Sequence, residues 1–149
     1  MLKKTKTMTI SKNFTLEELT ASSTAKAKNI KNTPNTQQVC SLCALVHNIL
    51  QPLRDAIAEP ISISSAFRSV ALNAAVGGVS NSQHLKGEAA DIDIKGNKSK
   101  GKAWFNYIKN NLPFDQLIWE HDKRGVYWIH VSYRADGQNR KQVISNLEK

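Results

Sequence analysis

Residues 80–94 read SNSQHLKGEAADIDI, which sets His84 and Asp91 seven positions apart with a glycine and two alanines between them. An imidazole nitrogen and a carboxylate oxygen are both ligand types for a divalent metal ion. Gly87 permits the chain reversal that would bring them together, and Ala89 and Ala90 let the backbone pack closely behind. From Ala89 the stretch AADIDI alternates as a half-buried strand does, so Asp93 shares a face with Asp91 and is a candidate partner for a ligand.

Working outward, PISISS (60–65) alternates as a second strand and delivers Ala66-Phe67-Arg68 to its end. Ser69 to Val76 reads as a short helix stopped by Gly77-Gly78. Further upstream, Val39, Leu42, Cys43, Val46, Ile49, Leu50 and Leu53 fall at helical spacing and predict a long core helix ending before Pro60. His47 on it reads as a surface or hydrogen-bonded histidine. FTLEEL (14–19) carries a helix start, with Thr15 as cap, Glu18 three residues later, and Phe14 and Leu19 as an apolar staple. Ordered structure is therefore expected from about residue 14. Downstream, KGNKSKGK (95–102) reads as a loop and Ala103–Asn110 as a helix with Trp104, Tyr107 and Ile108 on its stripe. Asp115–Glu120 and Val126–Tyr133 read as an antiparallel hairpin joined by HDKRG. Beyond Arg134 the chain is polar and basic, a loosely held tail. Helices first and short strands later predict an α+β domain.

At 149 residues the chain is long enough for one core without disulfides or structural metal. Its 40% hydrophobic and 22% charged residues exclude wholesale disorder. Lys and Arg outnumber Asp and Glu by 21 to 12, giving +9, which favours an anionic partner or simply a solvated surface. The N-terminus has a basic start without an apolar region, so no secretory signal is expected, and no run approaches transmembrane length. Cys40 and Cys43 form a lone CxxC inside the helical pattern and read as two buried thiols of a protein made in a reducing compartment.

A catalytic zinc takes three protein ligands and keeps one position open. His84 and Asp91 supply two, and His130 in YWIHVSY is the one histidine within a strand-like apolar run. Alternation there puts Trp128, His130 and Ser132 on one face. Spacing alone also allows a strand histidine bonded to a neighbour beside an exposed loop.

The segments SAFRSVALNAAVGGVSNSQHLKGEAADIDI, FDQLIWE and WIHVSY closely resemble the M15 family of zinc D-Ala-D-Ala peptidases, which includes cell-wall carboxypeptidases and phage endolysins. The SxHxxGxAxD pattern is present as Ser82, His84, Gly87, Ala89 and Asp91. The likeness covers residues 13–134, leaving 1–12 as a flexible N-terminus and 135–149 as a basic C-terminal tail. The resemblance implies the Hedgehog/DD-peptidase fold, an antiparallel sheet with flanking helices, and Zn²⁺ held by His84, Asp91 and His130. Many members place a catalytic acid three residues before the last histidine, where this chain has Tyr127. Glu120 is the expected replacement as general base, with Asp122 or His121 next. Arg68 matches the family's substrate-side arginine and is expected to stabilise an oxyanion or bind a substrate carboxylate, and Ser82 to bind substrate or orient the loop. The implied activity is hydrolysis of peptide bonds in peptidoglycan near D-Ala. A compact phage or prophage endolysin is expected: a monomer, made in the cytoplasm without a signal and acting at the cell wall after release, with no nucleic-acid or membrane partner. The alternative is a non-catalytic, zinc-stabilised module that binds anionic wall polymer.

Overall fold

The computed structural model describes residues 8–149. Of the N-terminus read as flexible and free of a signal, residues 1–7 lie outside the described residues. The remainder is ordered earlier than expected: Thr9–Ser11 (β1) pairs antiparallel with Phe14–Thr15 (β2). This hairpin is held down from the core helix, where His47 Nε2 lies 3.0 Å from the Ile10 carbonyl oxygen. Leu16–Thr20 (α1) follows, its N-terminus capped as the sequence predicts, with Glu18 N donating to Thr15 Oγ1 at 3.2 Å. Ser23–Lys28 (α2) is capped likewise by Ser22.

The long helix is one continuous rod with a single π turn inside it. Thr36–Leu45 (α3) passes through Val46–Leu50 into Gln51–Ile57 (α4), and the junction residues keep right-handed helical dihedrals. Pro52 explains the slip, because it can neither donate to the turn below nor tolerate that turn's carbonyl against its ring. Just before it, Gln51 N bonds Val46 O, five residues back. Leu42, Val46, Ile49, Leu50 and Leu53 are buried along this rod as their spacing predicts, Val39 is only half-buried, and Leu45, outside that spacing, is buried as well. The two thiols do not follow: Cys40 is exposed and Cys43 half-buried, because Cys40 lies off the buried stripe.

Against the rod lies a five-stranded sheet in the order β3-β4-β6-β5-β7. Its strands are Ser62–Ser65 (β3), Ala89–Asp93 (β4), Gln116–His121 (β5), Tyr127–Ser132 (β6) and Gln142–Glu148 (β7). All neighbours run antiparallel except β5 and β7, so the sheet is mixed rather than purely antiparallel. Period-two alternation divides it into two chemistries. One face carries Ala90, Ile92, Leu117, Trp119, Ile129 and Val131 into the apolar core. The other carries Asp91, Glu120 and His130.

Two expectations are corrected here. The lysine-rich 95–102 segment is not all loop, since Asn97 caps a helix that begins within it, Lys98–Asn111 (α6). Gly101 makes that docking possible, because a Cβ there would come within 2.8 Å of Ile94 and 3.0 Å of Trp119. The basic tail is not loosely held either: β7 pairs in parallel with β5 from Gln116↔Gln142 to His121↔Glu148. Its mostly exposed side chains explain why hydrophobic patterning did not reveal it, since the strand is held by backbone hydrogen bonds at the sheet edge.

Candidate metal centre

The turn between β3 and β4 runs through a short helix, Val70–Ala75 (α5), and a 3₁₀ turn, Gln83–Lys86, that carries His84. Ser82 caps this turn, its Oγ accepting from His84 N at 3.2 Å. The turn ends on Gly87, whose φ of 72° and tight approach to Gln38 O, 2.6 Å from where a Cβ would sit, both require glycine. The chain then enters β4, where Asp91 pairs directly with His130 of β6. His84, Asp91 and His130 thus converge, each buried, with candidate ligand atoms within 4.8 Å of one another. The sequence-predicted triad is assembled by one turn and one register.

The ring orientations are specific. His84 Nδ1 lies 2.6 Å from the Ala66 carbonyl oxygen, and as the only donor in that contact it must carry the proton. In the neutral ring this leaves the Nε2 lone pair facing Asp91 Oδ2 at 3.4 Å, buried and without a hydrogen-bond partner among the described residues. His130 turns Nδ1 toward Asp91 Oδ1 at 3.2 Å. Two imidazole nitrogens, one carboxylate and an orphaned inward lone pair fit a zinc ion of open coordination.

Glu120 pairs with Trp128 and so stands on the ligand face. It is buried, with Oε1 3.7 Å from His130 Nδ1 and Oε2 making no hydrogen bond. Lys149 Nζ approaches Oε2 to 3.7 Å. The two alternatives lie elsewhere: His121 stacks on Tyr127, and the Asp122 carboxylate is engaged by Arg124 and the turn backbone.

Arg68 is buried beside the triad, donating from Nη2 to Asp91 Oδ2 at 3.4 Å, from Nε to Ser65 Oγ at 3.0 Å and from Nη1 to Asn73 Oδ1 at 3.2 Å. The expected role of Asp93 does not hold. Its carboxylate serves Lys95 at the exposed strand end instead.

The groups behind the ligands are the Ala66 carbonyl and Gln83, which sequence reasoning missed. His130 Nε2 lies 3.1 Å from Gln83 Oε1, and Gln83 Nε2 donates to Asp115 Oδ2 at 2.9 Å. Asp115, fully buried, is in turn held by Arg140. Adjacency to His84 was the only available signal for Gln83. An open cleft of about 730 Å³ adjoins these residues, lined by Gln83, Asp115, Arg134 and Arg140 among others, but it does not reach the triad itself.

A family model described as Peptidase M15 matches residues 12–141. The zinc D-Ala-D-Ala carboxypeptidase of Streptomyces albus G is 50% identical over 70 residues, 46% of this chain and 26% of that protein. The match thus spans about a quarter of that relative's length.

Proposed function

Because the chain belongs to the peptidase M15 family, we propose that it is a zinc metallopeptidase that hydrolyses peptide bonds of peptidoglycan, in stem peptides or cross-links, beside D-alanyl residues. The zinc carboxypeptidase it resembles supports the metal and the bond class. Helices preceding a largely antiparallel sheet suit the Hedgehog/DD-peptidase fold.

In this reading His84 Nε2, Asp91 and His130 Nδ1 hold Zn²⁺. When bound, the ion supplies Lewis acidity toward water and the scissile carbonyl. Glu120 accepts the proton of the attacking water and returns it to the departing amine. Oε1, 3.7 Å from His130 Nδ1, is the oxygen placed for this work, while Oε2 faces Lys149 Nζ. Arg68 presents a guanidinium already fixed by Ser65 and Asn73, so it meets a developing oxyanion or a substrate carboxylate without reorganising. Ser82 orients the ligand turn through its cap and is the candidate polar contact for substrate.

The observation that carries the proposal is Glu120. A buried carboxylate on the ligand face, 3.7 Å from His130, answers the absence of an acid at position 127. The proposed setting is lysis by a phage or prophage endolysin, for which a net charge of +9 suits an anionic wall. No helix among the described residues is long and apolar enough to cross a membrane.

The test is digestion of isolated peptidoglycan by the purified protein, with and without chelator, and mass analysis of released fragments. Chelator-sensitive release of D-alanine or of cross-link fragments is expected. Polymer binding by the zinc-loaded protein without any release would favour the non-catalytic module instead.

A further inference from the structure

Asp115 sits at the start of β5 with no exposed surface. Its two carboxylate oxygens receive four donors: Arg140 N and Nε on Oδ1, and Arg140 Nη2 and Gln83 Nε2 on Oδ2. An ionised carboxylate has nothing to donate. The Gln83 amide therefore has one allowed orientation here, because the flipped form would set its oxygen against Oδ2 at the 2.9 Å now spanned by the N–H. With the nitrogen committed to Asp115, Oε1 must face His130 Nε2, 3.1 Å away. An amide oxygen only accepts, so Nε2 of that ring must carry a proton. In the neutral imidazole this leaves the lone pair on Nδ1, the nitrogen facing Asp91.

We infer that Gln83 is a positioning residue that sets the tautomer of His130, and that Asp115 and Arg140 set Gln83. The arrangement opposes what the ring would choose alone. Asp91 Oδ1, 3.2 Å from Nδ1, invites a proton onto that nitrogen, where it would block a ligand lone pair. The Gln83 oxygen holds the proton on the opposite nitrogen, so the metal replaces no proton of the neutral ring. Arg140 belongs to the segment that leads into β7, so the C-terminal part of the chain reaches the ligand set through three side chains.

The inference rests on His130 being a metal ligand, and its test separates the two. In metal-free protein, nitrogen-15 and carbon-13 shifts of the neutral His130 ring report which nitrogen is protonated. Zinc affinity is measured separately, by chelator competition with the metal alone. Wild type should show Nε2–H. Gln83→Ala should move the ring toward Nδ1–H and weaken zinc binding about 10- to 100-fold, the usual loss when a group behind a ligand is removed. Asp115→Asn should do the same in wild type and add nothing in the Gln83→Ala background. Should Asp115→Asn fail to fold, Arg140→Ala takes its place, because that side chain is half exposed.

A Gln83→Ala protein that keeps Nε2–H overturns the assignment, whatever its zinc affinity. One that loses Nε2–H yet binds zinc as wild type does overturns the step from tautomer to metal. If Asp115→Asn costs as much without Gln83 as with it, the relay through Asp115 is wrong. A wild type that shows Nε2–H but binds no zinc would leave the tautomer relay standing and remove the metal reading.

Discussion

Glu120 owes its place to register: its strand partner is Trp128, two residues before His130, so alternation turns its carboxylate to the ligand side. Glu120→Gln keeps the shape and removes the base. It should retain zinc, measured by metal analysis, while turnover on peptidoglycan falls by at least ~10²-fold, the lower end for general acid–base catalysis. Arg68 behaves differently, because it serves the fold as well as the proposed chemistry. Arg68→Ala leaves Asp91, Asn73 and Ser65 without a buried donor. We expect it to lower unfolding free energy by roughly 1–3 kcal/mol in denaturant titration as well as activity. The reading from sequence alone, a substrate-side arginine, foresaw only the second loss. The grouping of His84, Asp91 and His130 was expected from the likeness to M15 peptidases, because ligand types and spacing alone also allowed a strand histidine beside an exposed loop. Gln83, Asp115 and Arg140 were not, since their bonds span 32 and 25 residues and no local pattern joins them.

At the scale of elements, the 3₁₀ turn is the part that admits least change. Gly87→Ala must place a methyl 2.6 Å from Gln38 O at φ 72°, so either the turn or helix α3 shifts. We expect a loss of more than about 1 kcal/mol in stability. Weaker zinc binding should accompany it, because His84 lies on the displaced turn. Equal stability and affinity in the variant would mean that α3 yields without cost. Strands β4 and β6 were readable because apolar and polar residues alternate along them, although both of their faces are buried, and β5 was readable as the other arm of a hairpin. Strand β7 was not, because an edge strand with exposed side chains shows the sequence no apolar period. The start of α6 was hidden for a related reason. Its first turn is lysine-rich and solvent-facing, and only the Asn97 cap marks it.

Over the whole molecule, the apolar face of the sheet and the rod of α3 and α4 make a core that needs no metal to form, so removing zinc should soften the protein rather than unfold it. With free zinc about 100-fold above Kd, binding adds ~2.7 kcal/mol. Chelation should therefore lower the thermal midpoint by about 5–10 °C in calorimetry, with cooperative unfolding retained. Loss of all cooperativity on chelation would make the ion a structural one. The pairing of Asp91 with His130 joins positions 39 residues apart, with α6 and β5 lying between them in the chain. Contacts of such separation form slowly, because loop closure precedes any gain. A refolding chain thus offers an ion only fragments of its ligand set until β4 meets β6. In stopped-flow refolding with excess zinc, metal uptake should follow the rate of sheet formation and stay flat as zinc is raised. A rate that climbs in proportion to zinc would instead mean that the ion recruits the strands.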